Sequence, residues 1–229
     1  MLQPLQITVA GTDRRLCRLP MPLQPEGLIA GDGSWEVELG FGKGRYLLRR
    51  SLEDPQQRFL GVEVVSKYCR LLIGRAHRQG ASNLAVVRGE AVYALSAVLP
   101  VGFAKAVHVY FPDPWPKVRH HKRRLFDPER IDLVLGLLEP RGRLLFATDF
   151  LSYGEKVQEI LESHPALDLK EVGDAWPEGP RTNYEAKYVA EGRPILRLEA
   201  RLRSDAVVPL FHPRGAAGIA AARASRLEE

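Results

Sequence analysis

The run Ala104–Phe111, AKAVHVYF, constrains the fold more than any other stretch. Its apolar residues are nearly continuous instead of alternating, and it is rich in β-branched side chains. A strand of that kind must be covered on both faces, as in a parallel sheet packed between helices. The rest of the chain supplies such a sheet. Strand-like runs at Trp35–Leu39, Arg58–Glu63, Asn83–Gly89, Arg143–Asp149, Leu167–Val172 and Arg193–Arg203 alternate with helical patterns. Those patterns follow Gly44, run from Ser66 to Gly80 and over 91–99, then over 126–142 and 151–164. Ser66 is the expected N-cap of the second helix and Gly80 its stop. Asp127 is the expected N-cap of the fourth, with Pro128 at its first position and Gly142 at its end. The alternation predicts an α/β fold: a seven-stranded, mostly parallel, doubly wound sheet.

At 229 residues the chain has the length of one α/β domain with a substantial core. We read residues 1–34 as an irregular N-terminal arm, 35–203 as the core, and 204–229 as a tail without an assigned role. No apolar run approaches the ~20 residues that span a bilayer. The N-terminal stretch lacks the zones of a secretory leader, and there are only two cysteines, Cys17 and Cys69. A cytoplasmic location and no membrane partner are expected. Monomer and homodimer both stay open. Net charge is +5, and the excess is clustered: Lys117, Arg119, Lys122, Arg123 and Arg124 fall within eight residues, with His120 and His121 among them. Such a patch suits phosphates, each contact adding roughly 0.7–0.9 to the salt slope of binding. The two adjacent histidines lack a partner motif, so no metal is expected.

In doubly wound sheets, ligands sit beyond the carboxyl ends of the strands. That rule collects Glu38, Glu63, Glu90, Asp113 and Asp149, each at or just after the end of a successive strand. Any one of them alone reads as a helix cap or a solvated charge; five in series read as a rim. Gly40, Gly42 and Gly44 form a GxGxG turn after the first strand, where glycine permits close approach and positive φ. Glu63 follows Gly44 by 19 residues, a spacing suited to a carboxylate on ribose hydroxyls. A dinucleotide and S-adenosylmethionine both meet that spacing. The dinucleotide fingerprint is GxGxxG, and Glu38 sits badly beside a pyrophosphate. S-adenosylmethionine has no phosphate and carries a sulfonium and an amino group, which an acidic rim attracts. The residues favour S-adenosylmethionine.

Asp113 lies in YFPDPWPK, held by Pro112, Pro114 and Pro116, each of which fixes φ and removes an N–H. Its carboxylate can accept hydrogen bonds from the N1–H and amino group of guanine. Guanine N7 carries an in-plane lone pair and no proton, so methylation there needs positioning and electrostatics and no general base. Trp115 either wedges the turn or stacks on a base, and Tyr184 has the same two readings. His108 and Phe41 are expected to be structural.

Together "VELGFGKG", "GVE", "FPDPWPK", "ATD" and "RTNYEAKY" occur in an order and spacing that resembles the bacterial tRNA (guanine-N7-)-methyltransferases over about residues 35–200. The resemblance implies a Rossmann-like class I methyltransferase fold with a last, antiparallel strand. It implies S-adenosylmethionine as methyl donor and guanine at position 46 of the tRNA variable loop as target. It casts Glu38, Glu63, Glu90 and Asp113, with the glycine turn, as cofactor and active-site residues, Asp113 being the catalytic one. It casts Lys117, Asp149, Thr182, Asn183, Tyr184 and Glu185 as substrate-binding residues, to which the basic run adds Arg119, His120, Lys122 and Arg123. Glu90-Ala91 stands where the family usually has aspartate and alanine, one methylene shorter. Two other readings keep part of this pattern: a methyltransferase for a small molecule, and a non-catalytic RNA-binding protein on the same scaffold.

Overall fold

Successive side chains of a strand point to opposite faces, and in this protein both faces are covered. The computed structural model describes residues 6–9, 17–18, 23, 28–117, 119–120, 124–128, 130–206 and 208. Among them, β3 (Trp35–Leu39) is buried at every position, as is β6 (Ala104–Tyr110) apart from Lys105. One face carries Val37, Leu60, Val87 and Val107 against α3 (Ala91–Ala97), α4 (Ile131–Leu135) and α5 (Leu151–Ser163). The other carries Phe59, Leu84 and Val86 against α1 (Arg45–Glu53) and α2 (Ser66–Arg78). Helix α2 buries Cys69, Leu72, Ile73 and Ala76, and α5 buries Tyr153, Val157 and Leu161, spacings that place each set on one helical face.

The remaining strands are β1 (Gln6–Val9), β2 (Cys17–Arg18), β4 (Arg58–Glu63), β5 (Leu84–Arg88), β7 (Leu138–Thr148), β8 (Leu167–Glu171) and β9 (Leu196–Leu202), with α6 at Asn183–Ala190. The described strands form a nine-stranded sheet in the order β2-β1-β5-β4-β3-β6-β7-β9-β8. Strands β5, β4, β3, β6 and β7 run parallel. Strand β9 is antiparallel to both β7 and β8. The chain begins the parallel part at β3, builds outward through β4 and β5, then crosses to the other side of β3 to add β6 and β7. The switch point therefore lies between the ends of β3 and β6, where such sheets open a crevice.

The structure corrects the expected fold in three places. The described strands number nine, not seven, because within residues 1–34 β1 adds antiparallel to the edge of β5 through Gln6↔Arg88 to Val9↔Ala85, and β2 adds antiparallel to β1. That arm is therefore not wholly irregular, and the edge it covers would otherwise present unpaired N–H and C=O groups. The fourth helix is five residues long instead of running from Asp127 to Gly142. Residues 138–142 join β7, where Leu138 pairs with Ala104 and the register slips before Ala106. Arg141 has φ 66° there, and a β-carbon on Gly142 would lie 2.8 Å from the Glu139 carbonyl, so the segment is a strand irregularity that a helix pattern hides. Helix α2 begins without a side-chain cap, so Ser66 does not act as one. The tail 209–229 lies outside the described residues.

Candidate active site

The glycine turn is built by backbone geometry. Gly40, Gly42 and Gly44 have φ of 74°, 54° and 67°, in the left-handed region that favours glycine. The Gly42 N–H donates to Glu63 Oε2 at 2.9 Å, and the Val65 N–H donates to Glu63 Oε1 at 2.9 Å. Glu63 thus ties the turn after β3 to the end of β4 and keeps lone pairs for a ligand. Gly44 begins α1 so close to α2 that a β-carbon would sit 2.7 Å from both terminal carbons of Leu72. Gly44→Ala is expected to destabilise the protein by about 1–3 kcal/mol. Thermal unfolding checks it, with a fall in Tm of roughly 2–4 °C per kcal/mol.

Glu38 points to the same face, between Gly61 of β4 and His108 of β6 in register. It is 2% exposed, and its Oε2 has no hydrogen-bond partner. Burial, and then the charge of Glu63, push its carboxyl well above the usual range, against the N–H of Leu47 and the charge of Arg181. A buried carboxylate oxygen without a partner is costly unless a ligand completes it. The partner it calls for is cationic, which suits the amino and sulfonium groups of S-adenosylmethionine and repels a pyrophosphate. The residues present fit that cofactor.

Beneath the switch point runs a buried polar chain that the sequence reading did not assemble. Glu36 Oε2 accepts from His108 Nε2 at 3.2 Å and from the Tyr46 hydroxyl at 3.3 Å. Nδ1 of His108 then lies 2.8 Å from the Tyr110 hydroxyl, which in turn accepts from Arg181. Burial alone would raise Glu36, but the His108 hydrogen bond and the charges of Lys105 and Arg50 outweigh it and hold the carboxyl at about 2. Burial pushes His108 down, against the hydrogen bond and charge of Glu36, and an imidazole protonated at Nε2 alone donates to Glu36 and accepts from Tyr110. His108 is buried within this chain of bonds. The alternation of Glu36 and Glu38 in a central strand was the visible signal, because a covered strand has no solvated face for acids.

Arg181 joins that chain to α6. Its guanidinium lies 3.8 Å over the Trp176 ring and donates to Glu178 at 2.6 Å, and the Arg181 backbone N–H donates to Glu185 Oε2 at 2.8 Å. Glu185 Oε1 accepts from Arg197 Nε at 2.7 Å. The Thr182 hydroxyl accepts from the Glu185 N–H at 3.0 Å and caps α6. Thr182 and Glu185 therefore build the helix start, in the manner of a capping box. Glu185 is fully buried, and both of its oxygens are engaged within the protein. Asn183 and Tyr184 are exposed, and Thr182 is half-buried.

Asp113 is exposed beyond the end of β6. Phe111 (φ 51°) and Trp115 (φ 42°) flank it, both non-glycine residues in the left-handed region. Such backbone costs about 1–3 kcal/mol per residue and persists only where the surroundings enforce it. One enforcing group is Arg124, whose Nε donates to the Pro114 carbonyl at 2.8 Å and whose Nη2 donates to the Trp115 carbonyl at 3.4 Å. Its guanidinium rests 4.7 Å over the Tyr153 ring. Arg124 is buried, so it leaves the basic patch to which the sequence assigned it. Arg124→Leu is expected to cost about 1–3 kcal/mol through the stranded carbonyls. Chemical denaturation measures that cost, and turnover should fall by more than the unfolded fraction explains.

Lys117 and Arg119 are exposed on the same loop, and the Arg119 Nε donates to His120 at 3.3 Å. Trp115 meets His120 edge-on at 5.7 Å, so it packs at least partly within the turn. Lys122, Arg123 and His121 lie outside the described residues. Asp149 follows β7 and pairs with Arg193 at 3.9 Å. Glu90 caps α3, its oxygens accepting from the Val92 and Tyr93 N–H groups at 3.1 and 2.8 Å. Phe41 is buried and packs against β4 and α1. Among the described residues no cluster of His, Cys, Asp and Glu is arranged to hold a metal, and no helix is long and apolar enough to cross a membrane.

The parallel core with its antiparallel β9, the glycine turn at the switch point and the unpartnered oxygen of Glu38 define a class I, S-adenosylmethionine-dependent methyltransferase. Solved structures share the fold. A 16S rRNA (adenine(1408)-N(1))-methyltransferase from Catenulisporales acidiphilia, crystallised with its cosubstrate, superposes with a TM-score of 0.57 at 18% identity over 89% of this chain and 99% of that one. The aminoglycoside resistance methyltransferase NpmB1 gives 0.57 at 17% identity, covering 86% and 99%. The family model described as "Putative methyltransferase" matches residues 32–198. A tRNA (guanine-N(7)-)-methyltransferase of Nitrosococcus oceani is 34% identical over 74% of this chain and 72% of its own length. That of Chromohalobacter salexigens is 34% identical over 77% and 68%. This chain belongs to the tRNA (guanine-N(7)-)-methyltransferase family.

Proposed function

We propose that this protein methylates N7 of guanine in tRNA, at position 46 of the variable loop, and that it does so in the cytoplasm. The observation that carries the reading is the pairing at the switch point. A buried carboxylate with one unpartnered oxygen, Glu38, lies on one side, and Asp113 on a stiff turn with exposed Lys117 and Arg119 lies on the other. Bound S-adenosylmethionine supplies a methyl group on a sulfonium, an electrophile that needs only a correctly aimed lone pair.

The chain's own residues supply the aim. Glu38 and Glu63 hold the cationic and ribose ends, and Gly40, Gly42 and Gly44 let the backbone close on the cofactor. Glu90, though engaged as a cap, lies beside the end of β4 where the adenine of such a ligand would fall. Asp113 accepts from the N1–H and amino edge of guanine and fixes its rotation about the ring plane. Its charge also offsets the positive charge that guanine acquires as N7 is alkylated, an electrostatic contribution of the kind that dominates catalysis where no proton must move. Lys117, Arg119 and His120, with Lys122 and Arg123, grip the phosphates. Asp149, Asn183 and Tyr184 border the nucleotide entrance.

The test is direct. Under-modified tRNA incubated with the protein and S-adenosylmethionine, then digested and analysed by mass spectrometry, should contain 7-methylguanosine at one site. Absence of that nucleoside, with cofactor binding intact by calorimetry, would sink the proposal.

A further inference from the structure

Beyond Asp113 the rim carries an aromatic surface that neither the cofactor nor the phosphate grip uses. Tyr184 and Tyr188 stand four residues apart on α6, so both face the same way. Their rings are 6.1 Å apart and inclined by 33°. Phe111, the strained residue two before Asp113, completes the group at 6.4 Å from Tyr184 and 5.6 Å from Tyr188. The Arg193 guanidinium lies 4.7 Å over Tyr188, and Lys187 Nζ is 5.8 Å from the same ring. If the group only packed α6 against the sheet, its rings would be buried. Tyr184 is 58% exposed.

Charge indicates what lies on it. Arg193 is already paired with Glu191 at 2.7 Å and with Asp149 at 3.9 Å, and Lys187 with Glu191 at 3.7 Å. The surface is therefore aromatic with its charges paired, poor for gripping phosphate and suited to the π-face of a base. The exposed cations that suit phosphates, Lys117 and Arg119, follow Asp113 in the chain, whereas Phe111 precedes it. Resting on the function proposed above, we propose that Phe111, Tyr184, Tyr188 and Arg193 form a stacking platform for an unpaired base adjoining the target guanine. One base would enter beside Asp113 while its neighbour is held on Tyr184, so the bend that extrudes the target is stabilised from outside the pocket.

The test uses the full chain and a tRNA transcript carrying 2-aminopurine next to the target guanine. Wild-type protein should quench its fluorescence on binding. Tyr184→Ala should lose most of the quench and weaken binding roughly tenfold, while Tyr184→Phe, which keeps the ring, should restore both. The salt slope of Tyr184→Ala should match wild type, since no phosphate contact is removed. S-adenosylmethionine affinity, read by calorimetry, should not change. Wild-type quench and affinity in Tyr184→Ala would overturn the platform, even if 7-methylguanosine still formed and the functional reading stood. Loss of the quench without any 7-methylguanosine from the wild type would support the platform and remove the assigned reaction. A change of association state in Tyr184→Ala, with RNA binding untouched, would make the patch an interface between copies and also overturn the proposal.

Discussion

Asp113→Ala is expected to lower the rate of methyl transfer by about 10²–10³-fold or more while leaving tRNA affinity nearly unchanged. The argument is positional. Asp113 is exposed on a turn whose flanking residues sit in left-handed backbone, held by the Arg124 hydrogen bonds to the Pro114 and Trp115 carbonyls. Removing an exposed side chain there leaves the turn standing, so stability should move little. Affinity for tRNA comes mainly from phosphate contacts, to which an aspartate contributes only repulsion. Rate and affinity should therefore separate. Asp113→Asn keeps one acceptor oxygen and loses the charge, and it should fall between the two. The measurement is single-turnover methylation beside tRNA binding at the same ionic strength. A large loss of tRNA affinity in Asp113→Ala, or full activity in it, would contradict the role assigned here.

Glu38→Gln should separate stability from cofactor binding in opposite directions. Burial and the Glu63 charge raise the Glu38 carboxyl in the folded protein above its ordinary value of 4.5. A raised carboxyl contributes stability that is present below its unfolded pKa and is lost as pH rises through the folded value. The cofactor-free wild type therefore carries a penalty at neutral pH that glutamine does not. Glu38→Gln should unfold at higher temperature than wild type near pH 7–8, and the gap should close as pH falls toward the ordinary carboxylate range. Cofactor affinity should move the other way. A hydrogen bond to a charged group contributes about 1.5–3 kcal/mol, so the variant should bind S-adenosylmethionine roughly 10- to 100-fold more weakly. The wild type's own affinity should rise with pH as Glu38 ionises, and the variant's should stay flat. Thermal shift and calorimetry across pH read both. Equal affinity in wild type and variant would mean that the unpartnered oxygen does not face the ligand.

The parts of this protein that were legible in its sequence are those in which local pattern and global environment agree. A nearly continuous apolar run marked β6 as a strand covered on both faces, and shorter strand-like runs marked β3, β4 and β5. Strand alternation with helices then orders them, and the rule for crevices in such sheets collects Glu38, Glu63, Glu90, Asp113 and Asp149 at successive strand ends. What was misread depended on partners distant in sequence. Residues 138–142 carry a helix-like spacing, yet they complete β7 because Leu138 finds Ala104 across the sheet. Gln6–Val9 looks irregular in isolation and becomes a strand only beside the open edge of β5. Arg124 reads as one more surface cation, and it turns inward because two carbonyls and the Tyr153 ring await it.

The chain's order of residues settles which chemistry is carried and at which strand end, since side-chain identity and period are local properties. Only the folded arrangement decides which of those groups are free to act. Glu63, Glu90, Thr182 and Glu185 bond neighbouring backbone, and Glu38 alone among the rim acids is left buried with an oxygen that has no partner. Hydrogen-bond satisfaction is a property of atoms brought together from distant parts of the chain, and no reading of one segment at a time contains it.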